Sequence, residues 1–422
     1  MIAALATAVG TLGVAGVTAH ADLLVEDSTL GFLETGHGDL LFWMRAFNCC
    51  ECGGPVSIGS TADRVLHSRR LGRVTFTWGV RVCRNVSSPA TNIEAVLKES
   101  GPDYEDFSYE QPTGGSQTDV YLVTLNYRGE TYEVVVKFQP PNGDNFALEP
   151  YLHEYVADRT NIPVPRILVF KEEPEQNVPP YFVTERMEGD SLSDKFDSLD
   201  ADLRSRIMTQ VGAILGELHS TIAFEGFGYF GLENDRLVVE SLTWDWREFF
   251  DDLTRGHLNR LETTPFADLT KPAGQAIDQA IDSIPTTATP RLVHDDFRPA
   301  NLMYDDEADQ PITAVLDWQN ALAGHPEYNV AQTEFLFIDS VFRDPEVRSS
   351  LREQLHEGYR EFHEFPIDDG YERRRPLYQL STLLWRMAGF ERAFSDAGGL
   401  AEARAKAYYR EQFEHLVSAL PD

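Results

Sequence analysis

The octet His294-Asp295-Asp296-Phe297-Arg298-Pro299-Ala300-Asn301 has the form H-x-D-x-x-x-x-N. Sixteen residues after Asn301 comes Asp317, closing the apolar run Ile312-Thr313-Ala314-Val315-Leu316. A carboxylate, an amide and a second carboxylate at this spacing can serve one centre only if short, rigid segments bring them together. Asp296 suits a proton acceptor, and Asn301 and Asp317 offer the hard oxygen ligands that magnesium prefers. Asp305, Asp306 and Glu307 read as a solvated turn.

The pattern around this octet changes along the chain. Residues 92–99 read as a short helix. Residues 120–126 and 131–138 are apolar and β-branched, joined by Arg128-Gly129, so they read as a hairpin. Residues 146–159 have helical spacing and stop before the rigid connector Ile162-Pro163-Val164-Pro165. Residues 167–170 and 181–185 read as two further strands. After Gly189 the chain turns mainly helical, over 203–219 and in parts of 244–258, 346–363, 375–390 and 397–418. Two short β-like runs interrupt the helices, at 291–293 and 312–316. The class expected is α+β, a small β-rich front lobe followed by a larger helical one.

Charge sets a boundary. The chain has 36 Lys+Arg against 68 Asp+Glu, a net −32, and only six lysines. Such a surface disfavours nucleic acid and anionic membranes. It looks like that of a salt-loving organism's cytoplasmic protein, with a cationic partner as the rarer alternative. Residues 1–90 hold seven acids and seven arginines; 68 less 7 leaves 61 acids, and 36 less 7 leaves 29 bases, for the remaining 332 residues. All four cysteines (Cys49, Cys50, Cys52, Cys83) lie in the neutral segment. They lack the second spaced pair that zinc wants. Residues 1–21 end like a cleavage site but carry no basic stretch. Residues 1–90 are therefore expected to be an extension outside the native fold, with 91–187 and 188–422 as the two lobes.

The segment LVHDDFRPANLMY, with ITAVLDWQNALAGHPEYNVA after it, resembles the catalytic core of the aminoglycoside phosphotransferase/choline kinase family. The resemblance extends over roughly residues 92–420 in motif order. It implies a protein-kinase-like bilobal fold, ATP with Mg²⁺ in the cleft between the lobes, and transfer of the γ-phosphoryl group to a small-molecule hydroxyl. Asp296 is then the catalytic base, with Asn301 and Asp317 on the metal. Arg298 either touches the transferring phosphate or forms a structural ion pair. Lys137, ending Val134-Val135-Val136, resembles the lysine that steadies the phosphates. Glu149 resembles its carboxylate partner, with Glu154 as rival. Gly114-Gly115-Ser116 would cover the phosphates with backbone N–H groups. The strand ending Glu185-Arg186-Met187 resembles the hinge that meets adenine, through Glu185 and Met187. His294, His219 and Trp318 are expected to be structural. Asp295 stands where the family usually has glycine, and His325 and Asn329 replace the family's aspartates.

Other chemistries lack their signatures. There is no G-x-x-x-x-G-K-[ST] loop, no H-E-x-x-H and no G-x-S-x-G. A eukaryotic-type protein kinase would show A-P-E and a full glycine loop. A non-catalytic nucleotide-binding protein of the same fold is the remaining alternative. The acceptor stays open between aminoglycoside-, choline- and sugar-like compounds, and the acid-rich helical lobe fits a cation no better than it fits general acidity.

Overall fold

The computed structural model describes residues 88–101, 104–112, 119–140, 145–175, 178–364, 369–394 and 398–421, with the backbone of short strands before residue 57. The chain divides into two units, Met1–Asn92 and Ile93–Asp422. In the first, Val9–Gly13 pairs with Gly16–His20, Gly31–Glu34 with Leu40–Trp43, and Phe47–Asn48 with Pro55–Val56, all antiparallel. The four cysteines lie outside the described residues, as do Gly114, Gly115 and Ser116.

Helix α1 (Pro89–Ser100) is followed by strands β1 (Asp106–Glu110), β2 (Asp119–Tyr127) and β3 (Glu130–Phe138), helix α2 (Leu148–Ala157), and strands β4 (Ile167–Lys171) and β5 (Tyr181–Glu185). The strands form an antiparallel sheet in the order β4-β5-β3-β2-β1. The β2–β3 turn is Arg128-Gly129, at φ 54° and 79°. Two positive φ values in a two-residue turn match the twist of the flanking strands, and glycine makes the second easy. Alternate residues of β2, Tyr121, Val123 and Leu125, face a core shared with Ile93, Val96 and Leu97 of α1 and Tyr181 and Val183 of β5. Helix α2 turns the other way: its Leu148, Leu152 and Val156 belong to the large helical core. The lobes are thus joined by burial as well as by chain.

The helical lobe contains α3 (Ala201–Thr221), strands β6 (Phe227–Glu233) and β7 (Arg236–Thr243), α4 (Trp246–Arg260) and α5 (Thr270–Ala280). Strands β8 (Arg291–Val293), β9 (Leu302–Tyr304), β10 (Ile312–Val315) and β11 (Leu322–Gly324) come next, then α6 (Pro326–Glu334), α7 (Pro345–Arg360), α8 (Asp369–Ala388) and α9 (Gly399–Ser418). The short strands make two sheets, β7-β6-β11-β8 and Asp190–Ser191 with β9 and β10. The octet spans the gap between β8 and β9, one strand from each sheet. Helices α3 and α7 pack backbone to backbone: a Cβ on Gly212 would lie 1.9 Å from Leu355 O, and one on Gly358 1.8 Å from Thr209 O.

The hairpin β6–β7 and helices α5 and α6 do not figure in the sequence reading, which finds only β8 and β10 among the C-terminal strands. No helix among the described residues is long and apolar enough to cross a membrane.

Candidate active site

Lys137 sits near the end of β3 in register with Phe182 of β5, so the sheet fixes where its side chain leaves the backbone. Its Nζ donates to Glu149 Oε2 at 2.6 Å and to Asp317 Oδ1 at 2.7 Å. Lys137 is 5% exposed and Glu149 3%. Burial opposes the ammonium charge, but Asp317 and Glu149 overcome it and raise the Lys137 pKa. The same lysine holds Asp317 below the usual carboxylate range in spite of its burial. Glu154, the other candidate on α2, is exposed.

The octet is tied down at several points. Phe297 is fully buried and packs edge-on against His294, with ring centroids 5.5 Å apart. His294 Nε2 lies 2.9 Å from Leu316 O, and its Nδ1 accepts from Asp296 N at 3.3 Å. Only the neutral ring protonated at Nε2 satisfies both contacts. Burial lowers the His294 pKa to about 4, which keeps the ring neutral. His294 is therefore a strut linking the backbones before Asp317 and at Asp296. A second brace runs from Leu316 N to Asn301 O at 2.9 Å. Asn301 Nδ2 donates to Asp296 O at 2.8 Å, leaving the amide oxygen as the group available to a cation. Asp317 adopts a left-handed backbone, φ 63° and ψ 55°.

Asp296 is 4% exposed. Burial raises its pKa to about 6, with Arg298 and then Arg386 pulling it down. Arg298 Nε is 2.7 Å from Asp296 Oδ1, an ion pair whose angles fall outside hydrogen bonding, and Oδ1 accepts no hydrogen bond. A buried carboxylate oxygen in that state suits an incoming hydroxyl proton. Asp295, the residue in the glycine position, takes the glycine conformation at φ 58°. Its Oδ1 accepts from Tyr328 OH at 2.6 Å and Gln332 Nε2 at 3.1 Å. Sequence reading missed these two supports, whose only signal was the unusual aspartate.

The remaining residues expected to be structural lie in the same framework. His219 is fully buried, with Nδ1 2.9 Å from Tyr359 OH and Nε2 3.2 Å from Asn329 Oδ1. Asn329 Oδ1 also accepts from His294 N at 3.4 Å, and His325 Nδ1 accepts from Glu327 N at 3.0 Å, capping α6. Trp318 is fully buried and donates to Val315 O at 3.1 Å. Glu185 and Met187 lie at the exit from β5; Glu185 N donates to Arg166 O at 3.2 Å. Among the described residues no group of three or more His, Cys, Asp or Glu side chains could hold a metal. An Asn–Asp pair is a sparser ligand set, fitted to an ion that keeps water and substrate oxygens.

Residues 108–377 match the family described as the phosphotransferase enzyme family, a span that takes in Lys137, Glu149, Asp296, Asn301 and Asp317. The chain belongs to that family. It is a small-molecule kinase with a protein-kinase-like fold, a phosphotransferase acting on a small-molecule hydroxyl. Hygromycin-B 4-O-kinase of Escherichia coli is 26% identical over 250 residues, 58% of this chain and 67% of that one. IBR3 of Arabidopsis thaliana, named for an acyl-CoA dehydrogenase activity, is 23% identical over 254 residues but matched over only 29% of its length, so its name carries nothing over. A solved structure of a thermostable mutant of aminoglycoside phosphotransferase APH(4)-Ia, in ternary complex with AMP-PNP and hygromycin B, is 20% identical with a TM-score of 0.53. It covers 78% of this chain and 98% of its own, and attests the fold.

Proposed function

We propose that this phosphotransferase takes the γ-phosphoryl group from ATP, with magnesium, and passes it to a hydroxyl oriented by Asp296. The observation that carries the reading is Lys137 Nζ, buried between Glu149 and Asp317 at 2.6 and 2.7 Å. A buried ammonium at the mouth of a sheet, shared by two carboxylates from different lobes, is set to meet phosphate oxygens. In the step we infer, the acceptor oxygen bonds to Pγ while the Pγ–O bond to the β-phosphate breaks. Its electron pair leaves with ADP, and the acceptor proton goes to a carboxylate oxygen of Asp296. Asn301 and Asp317 would hold the magnesium, which when bound offsets phosphate charge. Arg298 holds Asp296 in place and stands beside the transferring group. Met187 N–H and the Glu185 carbonyl would meet adenine, Gly114, Gly115 and Ser116 the phosphates.

In this reading residues 91–187 serve the nucleotide and 188–422 the acceptor, with residues 1–90 apart from both. Use of ATP fits a cytoplasmic protein, and the acid excess fits a salt-rich one. The non-catalytic alternative would be favoured by loss of the base or metal residues; Asp296, Asn301 and Asp317 are all present. Asp296→Asn should reduce acceptor-dependent ATP consumption by about a thousandfold or more. Turnover within a few-fold of the parent would remove Asp296 from the mechanism.

A further inference from the structure

Three arginines gather at one end of a helix pair that the catalytic loop touches. Helices α4 and α8 run alongside each other: the Phe250 and Tyr378 ring centroids are 5.0 Å apart, and Thr254 Oγ1 donates to Ser381 Oγ at 3.0 Å. Contacts advance in the same direction along both helices, so their last turns, carrying Arg260 and Arg386, emerge at the same end. The next turn follows them there, because Phe390 packs on Phe266 with centroids 5.2 Å apart and brings Arg392 along. The octet reaches this pair of helices through Asp295, whose hydrogen-bonded partner Tyr328 packs between Phe250 and Tyr378, at 5.7 and 5.8 Å.

The electrostatics agree with that placement. Arg386 is close enough to draw down the Asp296 pKa, and Arg260 does the same to Asp295. Tyr229, 48% exposed, is raised to about 12 by burial and by Asp295, with Arg260 opposing. Arg392 is lowered by burial and by Arg260, a sign of cations gathered together. Among the described residues none of these three arginines forms an ion pair, although Arg255 on the same helix is held by Asp251 and Asp278 at 2.8 and 2.7 Å. The opposing acids include Asp252, which Tyr229 also feels, and Glu391, next to Arg392 in the same turn. Arginine in a last helical turn suits the helix dipole. The dipole does not explain three of them converging, unpaired, in a chain with nearly two acids for each base.

We propose, on the reading of this site as a kinase, that the acceptor is an anionic hydroxyl compound. Its carboxylate or phosphate is held by Arg260, Arg386 and Arg392 while its hydroxyl faces Asp296. Guanidinium forks match either group in two-point contacts, and a polycation would meet repulsion there. The transfer is the step given above, with the anionic group taking no part in the bonds made or broken.

The test uses the full chain with ATP, magnesium and hydroxyl compounds that differ in charge. Glycerate and gluconate supply the carboxylates, glycerol phosphate and glucose phosphate the phosphates, glycerol and glucose the neutral set, and choline and hygromycin B the cations. Turnover is expected with one of the anionic sets, which also tells carboxylate from phosphate. Arg386→Gln and Arg392→Gln should each raise KM for that acceptor about tenfold while kcat changes less than about threefold, and Arg386→Lys should recover part of the loss. Better kcat/KM for the neutral or cationic compounds, or an unmoved KM in both variants, overturns the proposal. Where no compound turns over, titration of gluconate and glycerol phosphate into protein bearing a non-hydrolysable ATP analogue decides, and no binding at millimolar concentration overturns it. If the analogue binds and the anions do not, only this proposal falls; if the analogue fails to bind, the kinase reading falls and takes it along.

Discussion

Asp295 and Asp296 are adjacent, both raised by burial, and put to different ends. Asp296 has an oxygen with no hydrogen bond to satisfy it, whereas Asp295 spends its carboxylate on Tyr328 and Gln332. Burial first, with Asp296 adding to it, raises Asp295 from 3.8 to about 7. In the unfolded chain it would lose its proton near the ordinary value. A folded pKa above the unfolded one means that Asp295 favours the fold fully in acid and loses that contribution as pH rises through about 7. Asn at this position tolerates the left-handed backbone and can still accept from Tyr328. Asp295→Asn should therefore gain on the parent as pH rises from about 4 to about 8, by on the order of 2 kcal/mol once partial exposure is allowed for. Urea unfolding at several pH values measures it, and parallel pH profiles for the two proteins would refute it.

At the scale of elements, the pairing of α3 with α7 depends on what is missing from their faces. Replacing Gly358 by Ala in an isolated helix would add about 1 kcal/mol of stability. Here the new methyl would fall 1.8 Å from Thr209 O, a backbone atom that moves only if the helix moves. The sign reverses, and Gly358→Ala should cost about 3 kcal/mol, seen as a lower midpoint in urea without a change of slope; a neutral or raised midpoint would contradict the packing. Residues 203–219 show the helical period that predicts α3, but not which glycine touches another backbone, because that contact depends on a segment far along the chain. The same limit separates the legible from the hidden elsewhere. The octet, Asp317 and Lys137 are local spacings on strands and loops, and they can be read directly. Helix α6 is buried from Glu327 to Glu334 and so shows no amphipathic stripe to detect. Strand β6 is interrupted by Gly228 and Gly231, which weaken its β signal. Arg260, Arg386 and Arg392 look like ordinary surface cations until α4 and α8 are laid side by side.

Across the whole molecule the dominant physical quantity is a net charge of −32, all of it carried beyond residue 90. Like charges on one surface repel over distances in space that the ionic strength sets. The screening length is about 10 Å at 0.1 M salt and about 3 Å at 1 M, so the repulsion is nearly extinguished over that range. Many of the described ion pairs are at the surface, as for Lys98–Glu94, Lys195–Asp190 and Arg410–Asp268, where the attraction is weak in water. Screening therefore removes little attraction while it removes a large unfavourable self-energy. Lys137 and Glu149 are buried and so shielded from salt, and Asp317 meets them from a partly exposed position. Thermal unfolding of the full chain should shift upward by roughly 5 °C or more between about 0.1 and about 1 M KCl. Chloride and sulfate at matched ionic strength separate screening from the general salting-out of apolar surface, because screening follows ionic strength and salting-out follows the anion. A midpoint that stays level in KCl, or that rises in sulfate alone, would mean that the acidic surface is already neutralised by other means and that the salt-loving reading of the composition is wrong.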